Sequence, residues 1–103
     1  MEIKDNNGRL EVELPGIVDL IAAGELRDLM LDALAKDSAA DLILRGQAVD
    51  RICTAAIQVI LAGVPAFRTA ARRLEIEDAT HMLEASFRQL GLGEDFDNFL
   101  VIA

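Results

Sequence analysis

At 103 residues the chain has room for one domain, 1–103, and its 52% hydrophobic but only 4% aromatic composition calls for an aliphatic core. Ten basic against eighteen acidic side chains leave a net charge of −8. That charge repels phosphate backbones and anionic lipids, and there is no Trp or Tyr to stack bases on, so nucleic acid and membrane surfaces are poor partners.

One cysteine excludes an internal disulfide and a multi-cysteine zinc site, and a lone thiol fits a reducing cytoplasm. The polar start, Met1–Asn7, does not read as a signal peptide. The longest apolar run, Ala55–Phe67, is interrupted by Gln58, Gly63 and Pro65 and is too short to span a bilayer.

Glu2–Asp5 and Arg9–Leu14 read as strands. Leu10, Val12 and Leu14 alternate with Arg9, Glu11 and Glu13, the pattern of a half-buried strand. Asn7-Gly8 between them suits a tight hairpin turn, and Pro15-Gly16 ends the second run. The spacing of Leu26, Leu29, Met30 and Ala33 predicts a helix over Ala22–Lys36, with Glu25, Asp28, Asp32 and Lys36 on its wet face. Asp41–Leu44 contains a continuous Leu-Ile-Leu run, which predicts a central strand with helices on either side.

Thr54–Ala71 reads as a second helix with an apolar stripe of Ile57, Ile60, Leu61, Val64 and Phe67. Pro65 predicts a kink around Gly63–Val64. Leu74 and Ile76 alternate with Glu75 and Glu77 as a further strand. Asp78 is expected to cap a third helix, Ala79–Leu90, with Met82, Leu83, Phe87 and Leu90 inward and Gly91 as its stop. The tail Phe96–Ala103, with Phe99-Leu100-Val101-Ile102, reads as a terminal strand. This alternation predicts a layered α/β fold with a largely parallel sheet.

Little of the sequence speaks for catalysis. There is no glycine-rich phosphate loop. His81 and Cys53 would make a nucleophilic pair only if they met in space, and His81 otherwise reads as an ordinary helix residue. Glu77 and Asp78 read as solvated carboxylates at a strand end. No metal or cofactor site is expected. The informative segment is Arg51-Ile52-Cys53-Thr54-Ala55-Ala56-Ile57, which runs from a strand end into a helix start. Thr54 reads either as an N-cap or as a regulated hydroxyl, because unpaired amides and the positive helix end also favour a phosphate there. Ala55 and Ala56 are small enough for another protein to approach closely. Cys53 is either buried and inert or redox-sensitive.

At this segment the chain resembles STAS domains, the family of bacterial anti-sigma factor antagonists, in which a strand ends in an Asp-Ser-Ser-Gly-Leu-type motif that opens a helix. The matching stretch is Cys53-Thr54-Ala55-Ala56-Ile57. Leu14-Pro15-Gly16-Ile17-Val18-Asp19-Leu20 with Ala22-Ala23, and Leu74-Glu75-Ile76 with the later Leu90-Gly91-Leu92, resemble the family's flanking segments in the same order. The likeness covers roughly residues 9–101. It implies an α/β STAS-like single domain: a mixed four- to five-stranded sheet with about three helices packed on it.

It also implies a non-enzymatic cytoplasmic module. Its partner would be an anti-sigma serine/threonine kinase or a chemotaxis component, and the alternative is the STAS subunit of a lipid-transport ABC complex that holds its ATPase constitutively. Thr54 stands at the phosphoacceptor position. Arg51, Cys53, Thr54, Ala55, Ala56 and Ile57 are the expected partner-binding residues, and hydrophobic edge strands are compatible with a homodimer. Two departures stand out: Cys53 replaces the motif's Asp, and the chain stops at Ala103, short of a final helix common among relatives.

Overall fold

The computed structural model describes residues 1–36 and 39–97. β1 (Ile3–Asn6) and β2 (Arg9–Glu13) form an antiparallel hairpin. Its turn residues Asn7 and Gly8 have φ of 56° and 82°, the doubly left-handed turn that matches strand twist. After β3 (Ile17–Val18) comes α1 (Leu20–Ala35), then β4 (Leu42–Arg45), β5 (Arg51–Ile52) and α2 (Thr54–Thr69). β6 (Leu74–Glu77), α3 (His81–Gln89) and the single turn α4 (Gly93–Asp95) follow.

Four strands form one sheet in the order β1-β2-β4-β6, antiparallel at the hairpin and parallel beyond it. β3 and β5 pair in parallel as a separate two-stranded ladder. The expected mixed sheet with helices packed on it is therefore present.

In-register rows explain the core. Leu10, Leu42 and Leu74 lie side by side, as do Val12, Leu44 and Ile76. All six are buried and meet Ala23, Leu26 and Met30 of α1, Ile57, Ile60 and Phe67 of α2, and Leu83 and Phe87 of α3 in one aliphatic cluster. The helices thus cover one face of the sheet.

The other face corrects an expectation. Ile43 is buried but stands outside that cluster, and among the described residues no helix lies over it. Its row neighbours are Glu11 and Glu75, and the next row is Glu13, Arg45 and Glu77. Arg9 on β2 pairs with Glu77 on β6, so its side chain crosses β4 diagonally over Ile43. Arg45 reaches Glu77 and Asp78, each at 2.8 Å, and Glu11 at 3.4 Å. The apolar stems of two arginines roof the isoleucine while their heads stay in a carboxylate lattice. The hydrogen bond to Glu77 holds the Arg9 proton even more firmly than usual. A continuous apolar strand therefore needs no second helical layer.

Other differences are local. α1 begins at Leu20 because the Asp19 side chain accepts from the Ala22 amide at 2.9 Å. α2 runs uninterrupted from Thr54 to Thr69 through Pro65, and the Thr69 hydroxyl donates to the Pro65 carbonyl at 2.9 Å. Thr80, not Asp78, caps α3: its backbone is extended (φ −72°, ψ 161°) and its hydroxyl accepts from the Leu83 amide. Asp78 has φ 55°, outside the extended geometry of a cap. Met82 and Leu90, expected inward, are about half exposed. Phe96 packs on Phe87 with ring centroids 5.0 Å apart and continues a helical turn with Asp97 instead of opening a strand. The rest of that expected strand, Phe99–Ile102 included, lies outside the described residues.

Arg72 is the one buried charged residue among those described. Its Nε and Nη1 donate to the carbonyls of Ala40 (2.6 Å) and Ala33 (2.8 Å), and its head lies 5.1 Å from the Phe67 ring centroid. It ties the end of α1 to the approach to β4. Nη2 has no partner, which offsets part of the gain. Arg72→Met should lower the unfolding free energy by about 2–4 kcal/mol, because two buried carbonyls lose a charged donor; urea denaturation followed by circular dichroism measures it.

Candidate functional site

The site is built where β3 and β5 run side by side. Ile17 pairs with Arg51 and Val18 with Ile52. The Gly16 carbonyl accepts from the Asp50 and Arg51 amides at 2.8 and 3.1 Å, and the Val18 carbonyl accepts from the Cys53 amide at 2.9 Å. Each strand passes directly into a helix, β3 into α1 and β5 into α2. Parallel strands give parallel exits, so the N-termini of the two helices lie together at one end of the molecule. Thr80 steadies the arrangement from behind: its hydroxyl also donates to the Val49 carbonyl at 2.6 Å.

Cys53 is the N-cap of α2. Its backbone is extended (φ −82°, ψ 159°), but its side chain makes no capping bond. The cap reading of Thr54 is therefore corrected. Thr54 is the first residue inside the helix and its side chain is exposed. No acidic residue occupies the first turn of α2. The Ile57 amide bonds back to the Cys53 carbonyl at 3.2 Å, which leaves the amides before it as the unpaired donors of a helix start. This end is electropositive, open, and carries a hydroxyl.

The expected contact residues separate by burial. Arg51 and Thr54 are exposed, and Cys53 and Ala55 are half-buried. Ala56 and Ile57 are 0% and 1% exposed and belong to the core, so they support the site from below instead of facing a partner. The helical period explains it: once Thr54 points out, the residues two and three positions on turn toward the sheet. Arg68, on the same helix, lies fourteen residues beyond Thr54, at the far end of α2.

The residues considered for catalysis do not assemble. His81 is exposed at the start of α3, and no hydrogen bond joins it to Cys53. Glu77 and Asp78 are engaged by Arg9 and Arg45. Among the described residues no three His, Cys, Asp or Glu side chains gather as a metal site, and no helix is long and apolar enough to cross a membrane.

Sequence reasoning missed the exposed aliphatics beside this site. Ile17, Leu20 and Ile21 are 60%, 73% and 75% exposed. A signal was present: Leu20 and Ile21 fall outside the 26, 29, 30, 33 stripe that defines the buried face of α1.

Since the other two long helices carry side-chain caps and α2 does not, supplying one is informative. Cys53→Asp should stabilise the domain by about 0.5–2 kcal/mol, whereas Thr54→Ala should change stability by less than about 0.5 kcal/mol. Thermal unfolding of both variants beside wild type checks the pair.

No protein-family model and no curated protein matches the chain by sequence. Its structure does match a solved one. The anti-sigma factor antagonist SpoIIAA in its unphosphorylated form superimposes with a TM-score of 0.78 at 14% identity, over 98% of this chain and 84% of that one. A likeness of that extent at so low an identity is a likeness of architecture, and it agrees with the order of the motifs: the chain has the STAS fold.

Proposed function

We propose that the chain is a non-enzymatic regulatory protein of the anti-sigma factor antagonist type, which docks a signalling partner through the start of α2 with Thr54 as its phosphoacceptor. The observation that carries this reading is the uncapped N-terminus of α2 with an exposed hydroxyl at its first position. The structural likeness to SpoIIAA, an anti-sigma factor antagonist described in an unphosphorylated form, supports it. The partner is an anti-sigma serine/threonine kinase or a chemotaxis component, met in the cytoplasm.

The chemistry of a switch is simple here. A phosphate on Thr54 adds nearly two negative charges at an exposed point and changes what can dock there. The fold tolerates it, because the helix end attracts anions and nothing buried depends on the hydroxyl.

A second reading rests on Cys53. Where the STAS motif has a carboxylate, this chain has a thiol that makes no capping hydrogen bond, so no carboxylate orients the hydroxyl. That favours a constitutive docking surface, as in the STAS subunit of a lipid-transport ABC complex.

Affinity capture from host lysate with wild type and Thr54→Glu, read by mass spectrometry, separates the two. A kinase or chemotaxis protein held by wild type and lost with Thr54→Glu is the expected outcome. An ATPase held equally by both would replace the switch with the constitutive reading. Arg51 is exposed beside Thr54 and makes no ion pair among the described residues. With the captured partner purified, Arg51→Glu should slow association and weaken its salt dependence in stopped-flow measurements. An unchanged rate at low salt removes Arg51 from the interface.

A further inference from the structure

The hairpin tip carries chemistry of its own. Of the asparagines in the chain, Asn7 is the one followed by glycine; Asn6 precedes Asn7 and Asn98 precedes Phe99. In an Asn-Gly pair the glycine main-chain nitrogen can attack the asparagine side-chain carbonyl carbon, because glycine has no β-carbon to hinder the approach. The Gly8 nitrogen forms a bond to Asn7 Cγ, the Cγ–Nδ2 bond breaks, and the Gly8 amide proton leaves with Nδ2 as ammonia. Water then opens the cyclic imide at either carbonyl, which leaves aspartate or isoaspartate at position 7. Water is the only co-reactant, and Asn7 and Gly8 are both exposed to it.

The fold holds this reaction back. With φ of 56° and 82°, Asn7 and Gly8 form the mirror image of a type I turn, in which ψ at the first position is about 30°. That rotation carries the Gly8 nitrogen away from the Asn7 side chain, so the peptide unit must swing round before the imide can close. The nitrogen is also tethered: Gly8 donates its amide proton to Asp5 Oδ1 at 3.0 Å. A carboxylate there opposes loss of that proton, since a negative nitrogen would form beside a negative oxygen. Asn6 is occupied otherwise, its side chain donating to Glu11 Oε2 at 3.2 Å.

We propose that Asn7 is a site of spontaneous deamidation and that Asp5 sets its rate by holding the Gly8 amide. The site is independent of the docking reading, because the chain enters β3 and α1 from the far end of β2. Its consequence falls on β1. Among the described residues that strand pairs with β2 alone, and its register, from Asn6 opposite Arg9 to Ile3 opposite Val12, depends on the tight turn. Isoaspartate adds a methylene to the main chain inside the turn, so β1 loses its register while β2, β4 and β6 keep theirs.

The test ages the full chain at mildly alkaline pH, follows deamidation by intact mass and places it by peptide mapping. Product is expected at Asn7, and faster in the urea-unfolded chain than in the folded one. Asp5→Ala should speed the folded-state reaction roughly two- to tenfold, the extra opening that follows loss of one hydrogen bond, and leave the rate in urea nearly unchanged. Asp5→Asn keeps an oxygen that can accept the same bond, so it should stay closer to wild type. In the purified isoaspartyl form, hydrogen exchange should show β1 amides losing protection and β4 amides keeping it. Deamidation placed on Asn6 or Asn98 in preference to Asn7 overturns the proposal, as does its absence in urea. A folded-state rate that Asp5→Ala leaves unchanged or lowers overturns the role of Asp5, and so does an Asp5→Asn rate equal to that of Asp5→Ala.

Discussion

The Val18 carbonyl accepts the Cys53 amide at 2.9 Å, and one residue earlier β3 and β5 are already paired. This two-residue ladder sits apart from the four-stranded sheet, yet the arrangement of the site depends on it. It sets the starts of α1 and α2 side by side and fixes the turn between them through Gly16. The Asp50 and Arg51 amides both reach the Gly16 carbonyl, and Val49 is fastened from α3 by Thr80. Three helix starts are thereby referred to one short stretch, 46–53. Burial of Val49 and Val18, both at 0% exposure, anchors that stretch to the core.

A one-sided sheet and an acidic surface are related features. Helices cover one face, so the other must be made wettable, and this chain does it by spending arginines on it. Arg9 and Arg45 serve the lattice over Ile43. Arg72 is buried against helix and loop carbonyls. Arg88 holds Glu84 and Asp97 near the last turn, and those carboxylates raise its proton affinity further. With these four cations engaged structurally, the helical side keeps much of its acid uncompensated. On the outer stripe of α1, Glu25 lies 3.7 Å from the Met1 amine and Asp28 3.7 Å from Arg27, whereas the exposed guanidinium of Arg51 makes no ion pair among the described residues.

What the sequence made legible follows from length and period. The hairpin, α1, β4, α2 and β6 each carry several turns or alternations of pattern, and the structure places them within a few residues of expectation. β3 and β5 have two residues each, too few for any period to show. The α3 cap was ambiguous because Asp78 and Thr80 are both capping residues two positions apart; only the backbone, left-handed at Asp78 and extended at Thr80, decides. Leu-Ile-Leu in β4 reads as burial on both faces, which is right, but a pattern of apolar residues does not say whether helices or arginine stems do the burying. The motif order pointed to the segment around Arg51 and Thr54, both exposed where β5 passes into α2. It did not resolve which neighbours face outward, and Ala56 and Ile57 proved to be core.

The missing cap of α2 is the feature that gives the site its character. This chain caps helices readily, with Asp19 on α1 and Thr80 on α3, so the bare start of α2 is not a general deficiency of the sequence. A carboxylate at position 53 would have satisfied the free amides and partly cancelled the positive end of the helix. Cys53 does neither, and it leaves the dipole directed past Thr54 toward solvent. A phosphate on Thr54 would then find its counter-charge in the helix beneath it, so the modification would be absorbed locally while its outward charge altered docking. On the docking reading, the same bare end, unmodified, would attract an acidic group from a partner. Both proposed uses would follow from the cysteine at the helix boundary, and they differ only in whether the anion arrives on Thr54 or on the partner.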